Sequence, residues 1–71
     1  FADVLSAPEE IEVIERKKDG RTFYFVLNYL PEEQTVVLHQ KMRRLYDDAQ
    51  VEGELVLKPY GTAVLEAEHS R

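Results

Sequence analysis

The stretch that most constrains the fold of this chain is residues 21–28, which read Arg-Thr-Phe-Tyr-Phe-Val-Leu-Asn. Successive side chains of a strand point to opposite faces. The two faces carry Phe23, Phe25 and Leu27 on one side, and Tyr24, Val26 and Asn28 on the other. Both faces are largely apolar, which is typical of a central strand covered on both sides. We expect the tyrosine face to be the less completely covered one.

The length of the chain, 71 residues, leaves room for a single domain with a thin core. A chain of this size buries only about 60% of the surface that its unfolded form exposes. We therefore expect contact with another structure to add to its stability. The sequence contains no cysteine, which excludes disulfides and thiolate metal sites and fits a cytoplasmic location.

The charge balance excludes some classes of partner. Fourteen acidic and nine basic residues give a formal net charge of −5, the wrong sign for a phosphate backbone, so we expect no nucleic acid partner. No apolar run approaches the roughly 20 residues that cross a bilayer, and no signal peptide pattern is present. We expect a soluble protein without a membrane partner. Because the chain begins at Phe1 rather than methionine, we interpret it as part of a longer protein.

The chain divides into three parts. Residues 1–10, which contain Pro8, read as a lead-in from a preceding domain, residues 11–67 as a β domain, and residues 68–71 as a polar tail. Strands are predicted at residues 11–16, 21–28, 34–39, 54–57 and 62–67. The Asp19-Gly20 pair between two strand-like runs predicts a hairpin. A second turn is predicted at residues 58–61, where Pro59 fixes φ and Gly61 supplies backbone freedom.

Residues 40–50 fit two interpretations. Their apolar residues follow the spacing of an amphipathic helix; they are Met42, Leu45, Tyr46 and Ala49. Against a helix, two aspartates would lie in its C-terminal half, where they oppose the helix dipole, and no capping residue stands at its start. The residue pattern leaves both interpretations open. The rest of the chain, with short strands separated by turns, predicts an all-β fold, a small antiparallel β-sandwich or barrel.

A series of segments between Ile11 and Glu66 occurs in a recognisable order. They are Ile11-Glu-Val-Ile-Glu-Arg16, Asp19-Gly20-Arg21, Phe23-Tyr-Phe-Val-Leu-Asn28, Thr35-Val-Val-Leu38, Leu45-Tyr46-Asp47, Val51-Glu52-Gly53-Glu54-Leu55 and Leu57-Lys58-Pro59-Tyr60-Gly61-Thr-Ala-Val-Leu-Glu66. In this order they resemble the small C-terminal domain of the family 42 glycoside hydrolases, the bacterial β-galactosidases. That family more often has a glycine-containing turn where this chain has Asp48-Ala49-Gln50.

The resemblance implies a small antiparallel β-sandwich of about six short strands, with strand and turn rather than helix at residues 40–50. It also implies a parent enzyme that hydrolyses terminal β-D-galactosides using two glutamates on a TIM barrel. No glutamate of this chain matches either one. We therefore predict a non-catalytic accessory domain, without cofactor or site residues, that packs against the preceding domains and stabilises the enzyme. The C-terminal β domain of another glycoside hydrolase, such as an α-amylase type, is an alternative.

Acidic residues are the first candidates for catalysis, since glycoside hydrolysis needs two carboxyl groups about 5–10 Å apart, one of them with a raised pKa. The candidates are Glu9, Glu10, Glu12, Glu15, Glu32, Glu33, Glu52 and Glu54. Their alternation with apolar residues favours solvated strand faces instead. The two histidines, His39 and His69, are too few for a metal site without carboxylate help. Asp47 and Asp48 lack the spaced ligands of a calcium loop.

Aromatic residues are the candidates for carbohydrate binding, because their faces stack on sugar rings. A carbohydrate-binding module would use exposed tyrosines; the candidates are Tyr24, Tyr29, Tyr46 and Tyr60. We favour structural roles, with the Tyr60 ring packed to anchor its turn. The one basic cluster, formed by Lys41, Arg43 and Arg44, is too small to offset the acidic balance. Docking on a larger enzyme predicts residual apolar surface, with Phe1, Val4, Leu5, Ile14 and Tyr29 as candidates.

Overall fold

The computed structural model describes residues 3–68, and the predicted tail residue His69 and the apolar Phe1 lie outside this range. Residues 3–68 form six antiparallel strands and no helix, so none of them belongs to a helix long enough to cross a membrane. The strands are β1 (Leu5–Ser6), β2 (Ile11–Lys18), β3 (Arg21–Asn28), β4 (Gln34–Arg44), β5 (Ala49–Leu57) and β6 (Thr62–Ala67). The prediction of an all-β antiparallel domain with about six short strands is confirmed.

The six strands belong to one sheet that curls around a single core. Their order is β1-β4-β6-β3-β2, with β5 paired to the other side of β4. The long strand β4 makes this arrangement possible, since its first half pairs with β1 and its last residues pair with β6. Between these halves, from Leu38 to Met42, the register of β4 against β5 shifts. The predicted central position of β3 is confirmed, because it lies between β2 and β6.

The core lies on the tyrosine face of β3, the opposite of what we expected. Tyr24, Val26 and Asn28 are buried, with Tyr24 only 3% exposed, whereas Phe25 on the other face is 36% exposed. Core side chains from the other strands complete this layer; they are Leu5, Ile11, Val36, Leu38, Met42, Leu55, Leu57, Ala63 and Leu65. Which face of β3 packs in the core depends on its pairing with strands distant in sequence. The sequence alone therefore does not distinguish the two apolar faces.

Residues 40–50 form strand, turn and strand, so the helix interpretation is wrong. Strand β4 continues to Arg44, a turn follows, and β5 begins at Ala49. Asp48 has a φ of 60°, a left-handed conformation that aspartate tolerates better than most residues. The apolar residues whose spacing suggested a helix do not share one buried face. Met42 enters the core, whereas Leu45 and Tyr46 lie exposed in the turn.

The lead-in contributes to the sheet, which the sequence did not predict. Leu5 pairs with Leu38 of β4 and is buried, so it is not available as a docking residue. Val4 is half-buried and packs against the same core. The chain then passes Pro8 without strand structure and re-enters the sheet at Ile11, as the proline predicted. Two residues are too short a strand to show alternation, so β1 left no periodic signal in the sequence.

The two predicted turns are present. Asp19 and Gly20, with φ of 54° and 77°, connect the paired residues Lys18 and Arg21, which is the geometry of a two-residue hairpin. In the second turn the positive φ belongs to Tyr60, at 57°, so the turn does not use the backbone freedom predicted for Gly61. Gly61 is needed there for a different reason, since a Cβ on it would lie 2.9 Å from the backbone oxygen of Lys58.

The buried amide of Asn28 ties this second turn to the loop that follows β3. Its Nδ2 donates to the backbone oxygens of Glu32 and Lys58, both at 2.9 Å, and its Oδ1 accepts from the Leu30 N–H at 3.0 Å. The backbone closes the same junction, because Asn28 N–H donates to the Gly61 oxygen. Both N–H donors of the side-chain amide and its oxygen thus have hydrogen-bond partners, as burial of an amide requires.

Candidate functional site

The surface with the clearest functional character is the outer face of β2, β3 and β6. Directly paired residues of antiparallel strands project from the same face. Ile14 pairs with Phe25, and Phe25 pairs with Val64, so three apolar side chains form a row across three strands. Leu27 lies beside this row on β3 and is half-buried. Ile14, Phe25, Leu27 and Arg16 line a shallow depression on this face.

The row continues beyond β6 to the β4–β5 turn. Leu45 N–H donates to the backbone oxygen of Val64 at 3.0 Å, and Leu45 lines a second depression together with Thr62 and Val64. Leu45 is 37% exposed. We define the apolar band as Ile14, Phe25, Leu27, Val64 and Leu45. It is continuous across four chain segments, and of the predicted docking residues only Ile14 belongs to it.

A charged cluster borders the band on one side. Phe23 pairs with Glu66, and Glu66 pairs with Arg43, so this next row lies on the same face. Glu66 is buried and accepts from Arg21 through two hydrogen bonds of 2.6 and 2.8 Å, and Arg43 donates to it as well. The Arg21 guanidinium also stacks over the Phe23 ring, 5.0 Å from its centroid. These contacts fix both arginines at the edge of the band.

The two arginines determine the protonation of Glu66. Their hydrogen bonds, with Arg21 the larger influence, lower the pKa of the Glu66 carboxyl to about 2, and they outweigh the effect of burial. Glu66 is therefore held as a carboxylate. A general acid in glycoside hydrolysis needs the opposite, a raised pKa. Its geometry is that of a structural ion pair.

The ion pairs of Glu66 were not predicted from the sequence, where Arg43 stood out only as part of the basic cluster. Arg21, Arg43 and Glu66 lie on three strands that are distant in sequence, and only the register of β3 and β4 against β6 brings them together. One signal was present in the sequence: Glu66 interrupts the apolar run of the last strand. A carboxylate within such a strand indicates a partner, since unpaired charges are costly to bury.

The eight glutamates considered for catalysis lie apart from this cluster. Seven are exposed. Of these, Glu12, Glu52 and Glu54 lie on strand faces as expected, and the other four lie in connecting segments. The eighth, Glu15, is half-buried and accepts a hydrogen bond of 2.9 Å from the Tyr24 hydroxyl. Burial, followed by this bond to Glu15, raises the pKa of Tyr24 to about 12. Tyr24 is thus a core residue held in its neutral form.

The remaining tyrosines are exposed, by 60% at Tyr29, 78% at Tyr46 and 67% at Tyr60. The expectation that the Tyr60 ring packs on its turn is therefore wrong. The Tyr29 hydroxyl donates a hydrogen bond of 2.8 Å to Glu12. The Arg44 guanidinium lies over the Tyr46 ring, 5.0 Å from the ring centroid. Each of the three occupies a different connecting segment, and the Tyr29 hydroxyl and the Tyr46 ring already have partners within the domain.

The other polar candidates also have partners within the domain. His39 Nε2 lies 2.8 Å from the Ser6 hydroxyl oxygen. Asp47 binds Arg44 through two hydrogen bonds, and Asp48 pairs with Arg43. These pairs account for the basic cluster and the two aspartates, with Lys41 exposed. Within residues 3–68, histidine and acidic side chains form no group of three or more that suits a metal ion.

Comparison with known proteins identifies the domain type. Residues 10–67 match the family described as the β-galactosidase C-terminal domain. Over 63 residues, or 87% of this chain, the sequence is 44% identical to β-galactosidase BgaA from Planococcus sp. (strain 'SOS Orange'). The same length is 35% identical to β-galactosidase BgaP from Planococcus sp. (strain L4). In both cases the aligned part is 9% of the relative.

Solved structures agree with the sequence relatives. The fold matches the crystal structure of β-galactosidase from Bacillus circulans sp. alkalophilus with a TM-score of 0.80 and 30% identity. It matches Gan42B, a GH42 β-galactosidase from G. stearothermophilus, with a TM-score of 0.84 and 26% identity. Each match covers 92% of this chain and 10% of the larger one, so the chain spans about a tenth of these proteins. The chain belongs to the family of β-galactosidase C-terminal domains.

Proposed function

We propose that this chain is the non-catalytic C-terminal accessory domain of a cytoplasmic β-galactosidase that hydrolyses terminal β-D-galactosides. The observation that carries the proposal is the match of residues 10–67 to the C-terminal domain family, together with 44% identity to a protein named as a β-galactosidase. Because this chain spans 9% of that relative, the reaction is assigned to the rest of the parent protein.

The carboxyl groups described above support a non-catalytic role for the domain. Glu66, the buried glutamate, is committed to two arginines and has a lowered pKa. Glu15 accepts a hydrogen bond from the buried Tyr24, and the other candidates are exposed on strand faces or loops. Retaining hydrolysis requires two carboxyl groups about 5 Å apart that face one sugar-sized cleft. We assign that pair to the preceding domains and propose residues 11–67 as the accessory domain, with residues 1–10 leading in and residues 68–71 as a tail.

The proposed contribution of the domain is stability, through packing on the preceding domains. A small domain has a limited core, and burial of the apolar band would add about 25 cal/mol for each Å² of apolar surface removed from water. Contact between domains of one chain requires less area than association of separate molecules, because the linked partner is present at high effective concentration.

The experiment begins with the coding sequence upstream of Phe1. We expect it to encode a (β/α)₈ barrel with one glutamate at each of two strand ends. The full-length protein should hydrolyse an aryl β-galactoside. A form that ends before residue 1 should lose thermal stability while each folded molecule keeps most of its kcat. The matched variant Glu66→Gln in the full-length protein should leave kcat unchanged. An upstream sequence without a barrel, or a full-length protein inactive on galactosides, would refute the proposal.

A further inference from the structure

We propose that the apolar band on the outer face of β2, β3 and β6 is the surface that docks on the polypeptide preceding this domain in the same chain. This inference rests on the proposed function, and it names the surface through which the accessory domain meets its enzyme. The proposal follows from three observations: the continuity of the band, the polar character of the competing surface, and the extent of the protein outside residues 1–71.

Continuity distinguishes the band from scattered exposed apolar residues, which are normal on protein surfaces. The row of Ile14, Phe25 and Val64 crosses three hydrogen-bonded strands, and Leu45 extends it to a fourth segment. On a sheet whose core lies on the opposite face, this side has no structural need for three large apolar side chains, Phe23, Phe25 and Leu27, on the central strand. In an antiparallel sheet with one face in water, the side chains on that face are normally polar.

The outer surface of β4 and β5 is the competing candidate, and its pairing pattern differs. Val37 pairs with Glu54, and Val56 pairs with Thr35. Each exposed valine therefore faces a polar side chain on the neighbouring strand. Such alternation is typical of a solvated face, although Val37 is as exposed as Phe25, at 37% against 36%. Exposure alone does not separate the two surfaces. The cross-strand neighbours of Phe25 do, because both of them, Ile14 and Val64, are apolar.

The occupant is argued from the extent of the protein and the charge at the rim. The aligned part is 9% of β-galactosidase BgaA, and the matching family is described as a C-terminal domain. We therefore infer that most of the parent polypeptide precedes this domain. A free second copy would have to bury about 800 Å² on each partner, roughly a sixth of the whole 4867 Å² surface of the domain.

The rim defines the chemistry of the surface that the band fits. Arg16 lines the depression formed by Ile14, Phe25 and Leu27, and Arg21 and Arg43 lie along the same side. An apolar core with a charged rim is the usual composition of an interface. We expect the docking segment to insert apolar side chains over Phe25 and to place acidic residues opposite Arg16.

The test measures protection in the full-length protein by cysteine labelling. Phe25→Cys is compared with Val37→Cys, because the two native side chains are equally exposed in the isolated domain and both lie on outer strand faces. Leu45→Cys provides a second position in the band, in a turn where replacement disturbs packing less. The labelling rate with a maleimide is read for each peptide by mass spectrometry and normalised to the unfolded protein.

We expect the thiols of Phe25→Cys and Leu45→Cys to react about tenfold or more slowly than that of Val37→Cys, because a reagent reaches a docked surface only when the contact opens. Equal rates, or slower reaction at position 37, would overturn the proposal. Protection that appears only as protein concentration rises would also overturn it, by identifying a second copy as the occupant. Hydrolysis of galactosides is scored separately, so an unprotected band in an active enzyme refutes the docking surface and leaves the proposed function intact.

Discussion

Asn28 donates its side-chain amide to the backbone oxygen of Lys58 across a 2.9 Å hydrogen bond, although 30 residues separate the two. The same amide nitrogen holds the Glu32 oxygen, so one buried side chain joins the end of β3 to the loop after it and to the β5–β6 turn. Asn28 is 1% exposed. The polar last residue of β3 thus fixes two connections at one end of the sheet.

Replacing Asn28 by alanine should lower the free energy of unfolding by about 2–3 kcal/mol, because it leaves backbone groups without partners in a buried junction. The measurement is urea denaturation of the chain followed by far-UV circular dichroism. Thr35→Ala, at an exposed position of β4, serves as a control and should change stability by less than about 0.5 kcal/mol.

Asn28→Asp gives a sharper test of the same contacts. A carboxylate keeps the acceptor for Leu30 N–H but faces the carbonyl oxygens of Glu32 and Lys58. Burial beside carbonyl oxygens raises the pKa of a carboxyl, so this variant should gain stability relative to the unsubstituted chain as the pH falls. An aspartate variant as stable as the unsubstituted chain at pH 7 would show that the amide nitrogen contributes little.

The lowered pKa of Glu66 makes the stability of the domain depend on pH. Its pKa is lowered from 4.5 to about 2 in the folded chain by Arg21 and then Arg43. A carboxyl that is harder to protonate when folded stabilises the protein above its unfolded pKa, and that stability is lost as the pH falls from about 4.5 towards about 2. Glu66→Gln should be less stable at pH 7 and should approach the unsubstituted chain near pH 2.

The control for this prediction is Glu54→Gln, which removes the same charge from an exposed position of β5. Comparing the two variants separates loss of the arginine contacts from the change in net charge. Unfolding midpoints measured from pH 7 to pH 2 supply the comparison. Profiles for the Glu66 and Glu54 variants that run parallel across this range would contradict the assigned role of the ion pairs.

Local sequence signals predicted most of the strands, because alternation and turn residues act over a few positions. The central strand β3, the Asp19-Gly20 hairpin and the break at Pro8 all follow from such signals. The resemblance, rather than periodicity, decided between helix and strand at residues 40–50. Strand β1 escaped prediction because two residues carry no period, and its place beside β4 depends on contact with Leu38.

The candidate site was harder to predict than the fold, because it depends on which strands are neighbours. Phe25 and Val64 are 39 positions apart in sequence, and their pairing makes the band. The expectation that the tyrosine face is the less completely covered one was wrong for the same reason. Tyr24 can enter the core because Glu15, directly opposite on β2, accepts its hydroxyl proton in a hydrogen bond.

The β5–β6 turn separates two requirements on neighbouring residues. Gly61→Ala should lower stability by about 1–3 kcal/mol, because the new Cβ would lie 2.9 Å from the Lys58 backbone oxygen and the backbone must shift. Tyr60→Gly should change stability little or raise it by up to about 1 kcal/mol, since glycine relieves the left-handed conformation at φ 57° of an exposed side chain. Thermal unfolding of the two variants checks both. Equal losses would mean that Tyr60 makes a contact beyond its backbone conformation.

Leu5 tests whether the domain begins before the matched region at residue 10. Its side chain is 3% exposed and packs in the core beside Leu38, so Leu5→Ala should lower the free energy of unfolding by about 2–4 kcal/mol. Ser6→Ala, at the exposed neighbouring position of the same strand, keeps the backbone pairing, removes only the exposed hydrogen bond between Ser6 and His39, and should cost less than about 1 kcal/mol. Urea denaturation of both variants distinguishes core packing from simple strand addition. If both variants are as stable as the unsubstituted chain, residues 5 and 6 form a dispensable lead-in, and the folded unit begins at Ile11.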